Sequence, residues 1–175
     1  NEALLLDHLK NIWTSNEEQA YLVNHHLESF KGTLFRQTMF AEFERDITEM
    51  AESNIPLTPD SLSEHYGKLN RDYFGPKMTV DREIELEWMR IPHFYYNFYV
   101  YKYATSFSVA NAVATRILEG DKDQLERYLG LLKAGGSKPP VELLKDAGVD
   151  LSTPAPIREA LKVFSGLVSE MCGLV

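Results

Sequence analysis

The chain has 175 residues, 44% of them hydrophobic and 25% charged, a composition that sustains a sizeable core without disulfides or structural metal. Eighteen basic and twenty-six acidic side chains leave a formal net charge of −8, the wrong sign for a phosphate-binding surface, so nucleic acid is not expected as a partner. The single cysteine, Cys172, excludes an internal disulfide framework and a thiolate zinc cluster and fits a reducing cytoplasm. Near the end of the last helix it reads as a small buried apolar group.

Helical spacing dominates from the first residues. Leu4, Leu5, Leu6, Leu9, Ile12 and Trp13 predict a helix over residues 1–13, already inside a periodic run at Asn1, which suggests a larger chain continuing upstream. Ser15 and Glu18 stand in capping-box register before a helix over 16–30. Gly32 and Thr33 mark a bend. An apolar stripe of Phe35, Met39, Phe40, Phe43, Ile47 and Met50 then predicts the next helix. Thr58-Pro59 gives an N-cap and first helical residue for a helix that ends at Gly75. "VDREIELEWMRIP" reads as helical up to Pro92. "ATSFSVANAVATRILEG" is a helix of small residues suited to close approach by its neighbours, ending at Gly120. "DKDQLERYLGLLKAGG", "PPVELLKDAG" and, from the cap Thr153-Pro154, "TPAPIREALKVFSGLVSEM" complete the series. "AGGSKPP" is too short to divide domains, and no strand alternation or internal repeat is found. The expectation is all-α, a multi-helix single domain over 1–175.

Several chemistries are absent from the sequence. There is no GxGxxG, no Walker loop and no HExxH, and no glutamate lies three positions before any of His8, His25, His26, His65 or His93. His25 and His26 point about 100° apart on a helix and read as an exposed pair rather than two ligands. The stretch from Ile91 to Thr115 carries Lys102 as its one formal charge, yet its charge-free part is too short to span a bilayer, so no membrane role is expected.

What stands out is "HFYYNFYVYKYATSF", residues 93–107, in which eight of fifteen side chains are aromatic and which holds five of the nine tyrosines. A core needs bulk without so many hydroxyls to satisfy. On a helix, His93, Tyr96, Asn97 and Tyr101 would share one face and Tyr95, Tyr99 and Tyr103 another. An imidazole, two phenols and an amide on one face could donate to an oxyanion. The same residues also suit an aromatic core helix whose hydroxyls are capped by carbonyls, and the residues alone do not decide between the two.

"RIPHFYYNFYVYKYATSFSVA" (90–110), "LNRDYFGP" (69–76), "AGGSKPPVELLKDAGVDL" (134–151) and the opening "NEALLLDHL" together resemble the oligoendopeptidase F group of the thimet-oligopeptidase-like zinc metallopeptidases. The resemblance implies that this chain is the C-terminal helical part of a larger metallopeptidase whose HExxH helix, absent here, supplies two histidine ligands and a glutamate base. Its partners would be short peptide substrates and the missing N-terminal part of the same polypeptide. One zinc ion would be held mostly by residues upstream of residue 1. Asn1-Glu2 matches the family's Asn-Glu element, which makes Glu2 a candidate for orienting a ligand histidine or for ligating the metal itself. Against these stands a plain helix-start acid, favourable to the helix dipole.

The family's His/Tyr element carries over onto His93 and Tyr101 as catalytic donors, with Tyr96, Tyr99 and Asn97 as substrate contacts. Some relatives place a glycine-rich spacer between the histidine and the tyrosines, and it is missing here. The implied fragment would be inactive alone. A reading of another class is a non-catalytic helical interaction or scaffold module, which an HExxH upstream in the same gene would exclude.

Overall fold

The computed structural model describes residues 2–175, and among them it is all-α, with no strand. In chain order the helices are α1 (Glu2–Lys10), α2 (Asn16–Ser29), a π-helical turn (Phe30–Phe35), α3 (Arg36–Glu52), α4 (Pro59–Phe74), α5 (Arg82–Glu85), two 3₁₀ turns (Glu87–Arg90 and Pro92–Tyr95), α6 (Tyr101–Leu118), α7 (Lys122–Ala134), α8 (Pro140–Asp146) and α9 (Ala155–Leu174). The chain divides into two compact units: residues up to Lys31 together with Thr105–Val175, and Gly32–Ala104.

The capping signals act where the sequence puts them. Ser15 Oγ accepts the Glu18 N–H at 3.3 Å and the Glu18 carboxylate accepts the Ser15 N–H at 3.1 Å, satisfying two donors that the first turn of α2 leaves open. Thr58 and Ser61 exchange the same pair of bonds at the start of α4. Gly75 closes α4 with φ 75°, in the left-handed region that favours glycine. Three expectations are corrected. The bend at Gly32 and Thr33 is a π-helical turn running without a break into α3. The helix expected up to Pro92 breaks into α5 and a 3₁₀ turn. α9 starts one residue late, with Pro154 outside it.

In the first unit α1 and α9 both pack on α2, and Phe30 inserts between Phe107 (edge-on, 4.8 Å between centroids) and Phe164 (5.6 Å). Buried Ser108, Val109, Asn111, Ala112 and Val113 show why α6 needs small side chains: Val109 and Val113 pack with Val149 at the foot of α7 and α8. Arg116 ties this region together, donating to both Glu159 oxygens and to the Gly148 carbonyl at 3.0 Å. Cys172, expected in the core, is exposed, because the end of α9 turns that face outward.

The second unit is built on α3 against α4. Met39, Phe40 and Phe43 of α3 meet Tyr66 and Leu69 of α4, and Ile91 and Val100 close the core. Gly67 permits the close approach of α5: a Cβ there would lie 2.7 Å from the Glu85 side chain. Phe94 sits 5.4 Å from Phe40 and 5.3 Å from Phe43, which anchors the aromatic segment to the core at its front end.

Candidate active site

The segment from Pro92 to Val100 is not a helix. Pro92 opens a single 3₁₀ turn that ends at Tyr95, and Asn97 and Phe98 then take φ values of 47° and 53°. Two successive non-glycine residues on the left-handed side are uncommon, and for a side chain such as phenylalanine the conformation costs about 1–2 kcal/mol. The chain re-enters helix at Tyr101. The two faces expected for a continuous helix are therefore not formed.

The left-handed pair folds the segment back so that residues before and after it meet. His93 stacks on Tyr99 at 5.7 Å with 27° between the planes, and it meets Tyr96 edge-on at 6.4 Å and Tyr103 at 6.1 Å. Tyr99 lies edge-on to both Tyr96 and Tyr103. One cluster thus joins residues from both predicted faces. A hydrogen bond between Tyr99 and Tyr103 holds the Tyr103 phenol above the ordinary phenol range. Lys102 places its ammonium 4.9 Å over the Tyr99 ring, a cation–π contact.

These rings face outward. Tyr96 is 65% exposed and Tyr101 49%, and Tyr95, Asn97, Phe98, Tyr99 and Tyr103 are exposed as well, while Ile91 and Val100 on either side are buried. Of the expected residues, His93, Tyr96 and Tyr99 are brought into one cluster. Asn97 supplies the turn, and Tyr101 begins α6 beside it. Glu2 belongs to the other unit, where it opens α1 and lines a cleft of about 220 Å³ with His26, Ser29, Phe107 and Asn111. Within that cleft burial, followed by the charge of Lys10, holds the His26 imidazole below its usual value against the opposing pull of a hydrogen bond that the imidazole donates to Asn111. Asn1, the other half of the Asn-Glu element, lies outside the described residues.

Beneath the aromatic segment is a carboxylate not among the sequence candidates. Glu44 of α3 is 4% exposed, and its Oε1 accepts the Phe98 backbone N–H at 2.5 Å. Its position was visible as an acid four residues after Phe40 and three before Ile47, on the apolar stripe of α3. Just upstream, Glu87 joins three elements. Its Oε1 accepts from Arg36 at 2.6 Å and from Arg90 at 2.5 Å, and its Oε2 accepts from the buried Tyr66 hydroxyl at 2.8 Å.

The model of peptidase family M3 matches residues 1–163. The chain belongs to peptidase family M3. It is 51% identical over 171 residues to Oligopeptidase PepF of Bacillus subtilis, covering 98% of this chain and 26% of that protein. To the chromosomal Oligoendopeptidase F of Lactococcus lactis subsp. cremoris it is 41% identical over 175 residues, all of this chain and 29% of the relative. The crystal structure of oligoendopeptidase-F from Enterococcus faecium superposes with a TM-score of 0.93 at 48% identity, over 97% of this chain and 33% of that one. The likeness to the oligoendopeptidase F group drawn from the sequence therefore holds. The chain spans between a quarter and a third of the length of these relatives.

Proposed function

We propose that residues 1–175 work as one helical domain, the C-terminal part of the catalytic domain of a zinc metalloendopeptidase that hydrolyses short peptides in the cytoplasm. The observation that carries this reading is the outward-facing cluster of His93, Tyr96 and Tyr99 with Tyr101 exposed beside it. An aromatic core would hide those rings, whereas a substrate wall needs them at the surface with their polar atoms reachable. No helix among the described residues is long and apolar enough to cross a membrane, and the free Cys172 thiol agrees with a reducing compartment.

In this reading Tyr101 and His93 donate to the oxygen that gains charge as the peptide carbonyl becomes tetrahedral. Such donors act most strongly in the transition state, because they are aimed at charge that the ground state lacks. Tyr96 and Tyr99 present ring faces and hydroxyls to the bound peptide, and the Asn97 amide takes a hydrogen bond from its backbone. The zinc ion belongs to the longer chain. Its main ligands are assigned to the rest of the longer chain, with Glu2 as a residue that orients one of them or reaches the ion itself.

The test is made in the longer chain, with a short peptide as substrate. His93→Ala and Tyr101→Phe are each expected to lower kcat far more than they raise KM. Residues 1–175 alone should hydrolyse nothing. Full turnover by both variants would favour a helical scaffold without a catalytic role.

A further inference from the structure

We propose that Glu44 is a positioning residue for this peptidase: its buried carboxylate holds the Asn97–Phe98 turn that brings His93, Tyr96 and Tyr99 together, and so sets turnover without touching substrate. The inference rests on the reading above that the cluster meets the peptide.

Three observations converge. The first is the cost of the group. Glu44 sits on the core side of α3 among Phe40, Phe43 and Ile47, where leucine would fill the space without the penalty of burying a charge. Its Oε2 is buried with no hydrogen-bond partner among the described residues, so packing does not explain a carboxylate there. The one bond its side chain is seen to make goes to Phe98 N–H, 54 positions along the chain.

The second is the turn it holds. Asn97 and Phe98 both lie at positive φ, and Phe98 keeps nearly half of its surface exposed, so burial of that side chain offsets the strain only in part. A charge-assisted bond donated by the Phe98 N–H to the Glu44 carboxylate supplies the missing stabilisation.

The third is the connectivity of the cluster. His93 and Tyr96 precede the left-handed pair, and Tyr99 and Tyr103 follow it. Every ring contact from His93 or Tyr96 to Tyr99 or Tyr103 therefore crosses the turn. Phe94 and Val100 anchor the segment in the core, and the turn lies between them, between Tyr96 and Tyr99, whose rings meet across it. The outcome inverts the usual arrangement, with a charge inside and aromatics outside. It is intelligible if the outer rings have work to do at the surface.

The experiment compares Glu44→Ala, Glu44→Gln and Tyr101→Phe in the longer chain, with steady-state peptide hydrolysis and hydrogen–deuterium exchange of residues 95–100. Glu44→Ala should lower kcat by about 10- to 100-fold, the range for a displaced reacting group, with a smaller change in KM. Exchange should speed up at 95–100 and stay unchanged in α4. Glu44→Gln keeps an oxygen that accepts the Phe98 N–H, so it should restore most of the turnover and the protection. If Glu44→Ala does not fold, Glu44→Asp, which withdraws the carboxylate by one methylene, should show the same pattern in smaller measure.

Three results overturn the proposal: unchanged exchange at 95–100 in Glu44→Ala, equal losses in the alanine and glutamine variants, or a loosened turn with full kcat while Tyr101→Phe is impaired. A loosened turn with full kcat in Glu44→Ala and in Tyr101→Phe alike instead sinks the reading of the cluster as a substrate wall.

Discussion

Tyr66 and Tyr101 belong to the same compact unit and use the same side chain in opposite ways. Tyr66 is 0% exposed, with its ring edge-on to Phe43 and its hydroxyl on Glu87. Burial, with the Glu87 carboxylate beside it, pushes that phenol well above its ordinary range and keeps it a permanent donor. Tyr101 opens α6, and half of it is left uncovered by residues 2–175. A buried phenol must have its partner in the fold, because an unmet hydroxyl inside costs more than the bond returns. A half-exposed phenol keeps part of its surface open to a ligand. Exposure therefore sorts the tyrosines of one segment from those of the core, although their composition does not.

If the contrast is right, removing Glu87 should damage the fold most. Glu87→Ala leaves the Tyr66 hydroxyl buried without its acceptor and takes from Arg36 and Arg90 the carboxylate they share, and it should cost about 3 kcal/mol by urea unfolding. Tyr66→Phe keeps the ring and removes one bond, so a loss of about 1–2 kcal/mol is expected. Tyr96→Phe, at the exposed end of the comparison, should stay within about 0.5 kcal/mol of the parent.

A smaller effect concerns acid. Burial pushes the Glu87 carboxyl up, but the bonds from Tyr66 and Arg36 and the charges of Arg36 and Arg90 outweigh it, so it lies below the usual glutamate value of 4.5. A carboxylate depressed on folding adds stability that is present above its unfolded value and lost as pH falls through the folded one. The urea midpoint should therefore fall as pH drops below the ordinary glutamate value of 4.5, and Glu87→Gln should flatten that slope. A midpoint equally steep in the variant would assign the slope to other carboxylates. The smallest effect is expected from Tyr128→Phe, in the first unit, which should leave peptide turnover unchanged.

Local rules carried most of the architecture. Ser15 with Glu18, Thr58 with Pro59, and Gly75 each act within one turn of a helix, so their roles can be read from adjacent letters. The aromatic segment could not be read that way. Its composition marked it as unusual, but its turn is hydrogen-bonded to Glu44, which reaches it from α3 across 54 positions. Helical spacing assumed continuity where the Asn97–Phe98 turn breaks it, and the faces drawn from that spacing divided residues that the turn unites. His93, Tyr96 and Tyr99 were legible as a group through their residue types and the family resemblance, not through periodicity. The burial expected for Cys172 failed for a related reason: apolar character says little about which face of a terminal helix meets a neighbour.

The most direct measurement is a paired one on Tyr66→Phe and Tyr101→Phe in the longer chain, recording kcat for a short peptide and the urea midpoint of each. Tyr101→Phe should lose about 10²–10³ in kcat, or roughly 3–4 kcal/mol of transition-state stabilisation, while its stability falls by at most about 1–2 kcal/mol. Tyr66→Phe should show the reverse, a lower midpoint with kcat preserved in the folded enzyme. Near-normal kcat in Tyr101→Phe together with a midpoint as low as that of Tyr66→Phe would contradict the account, and the exposed phenol would then be one more structural hydrogen bond.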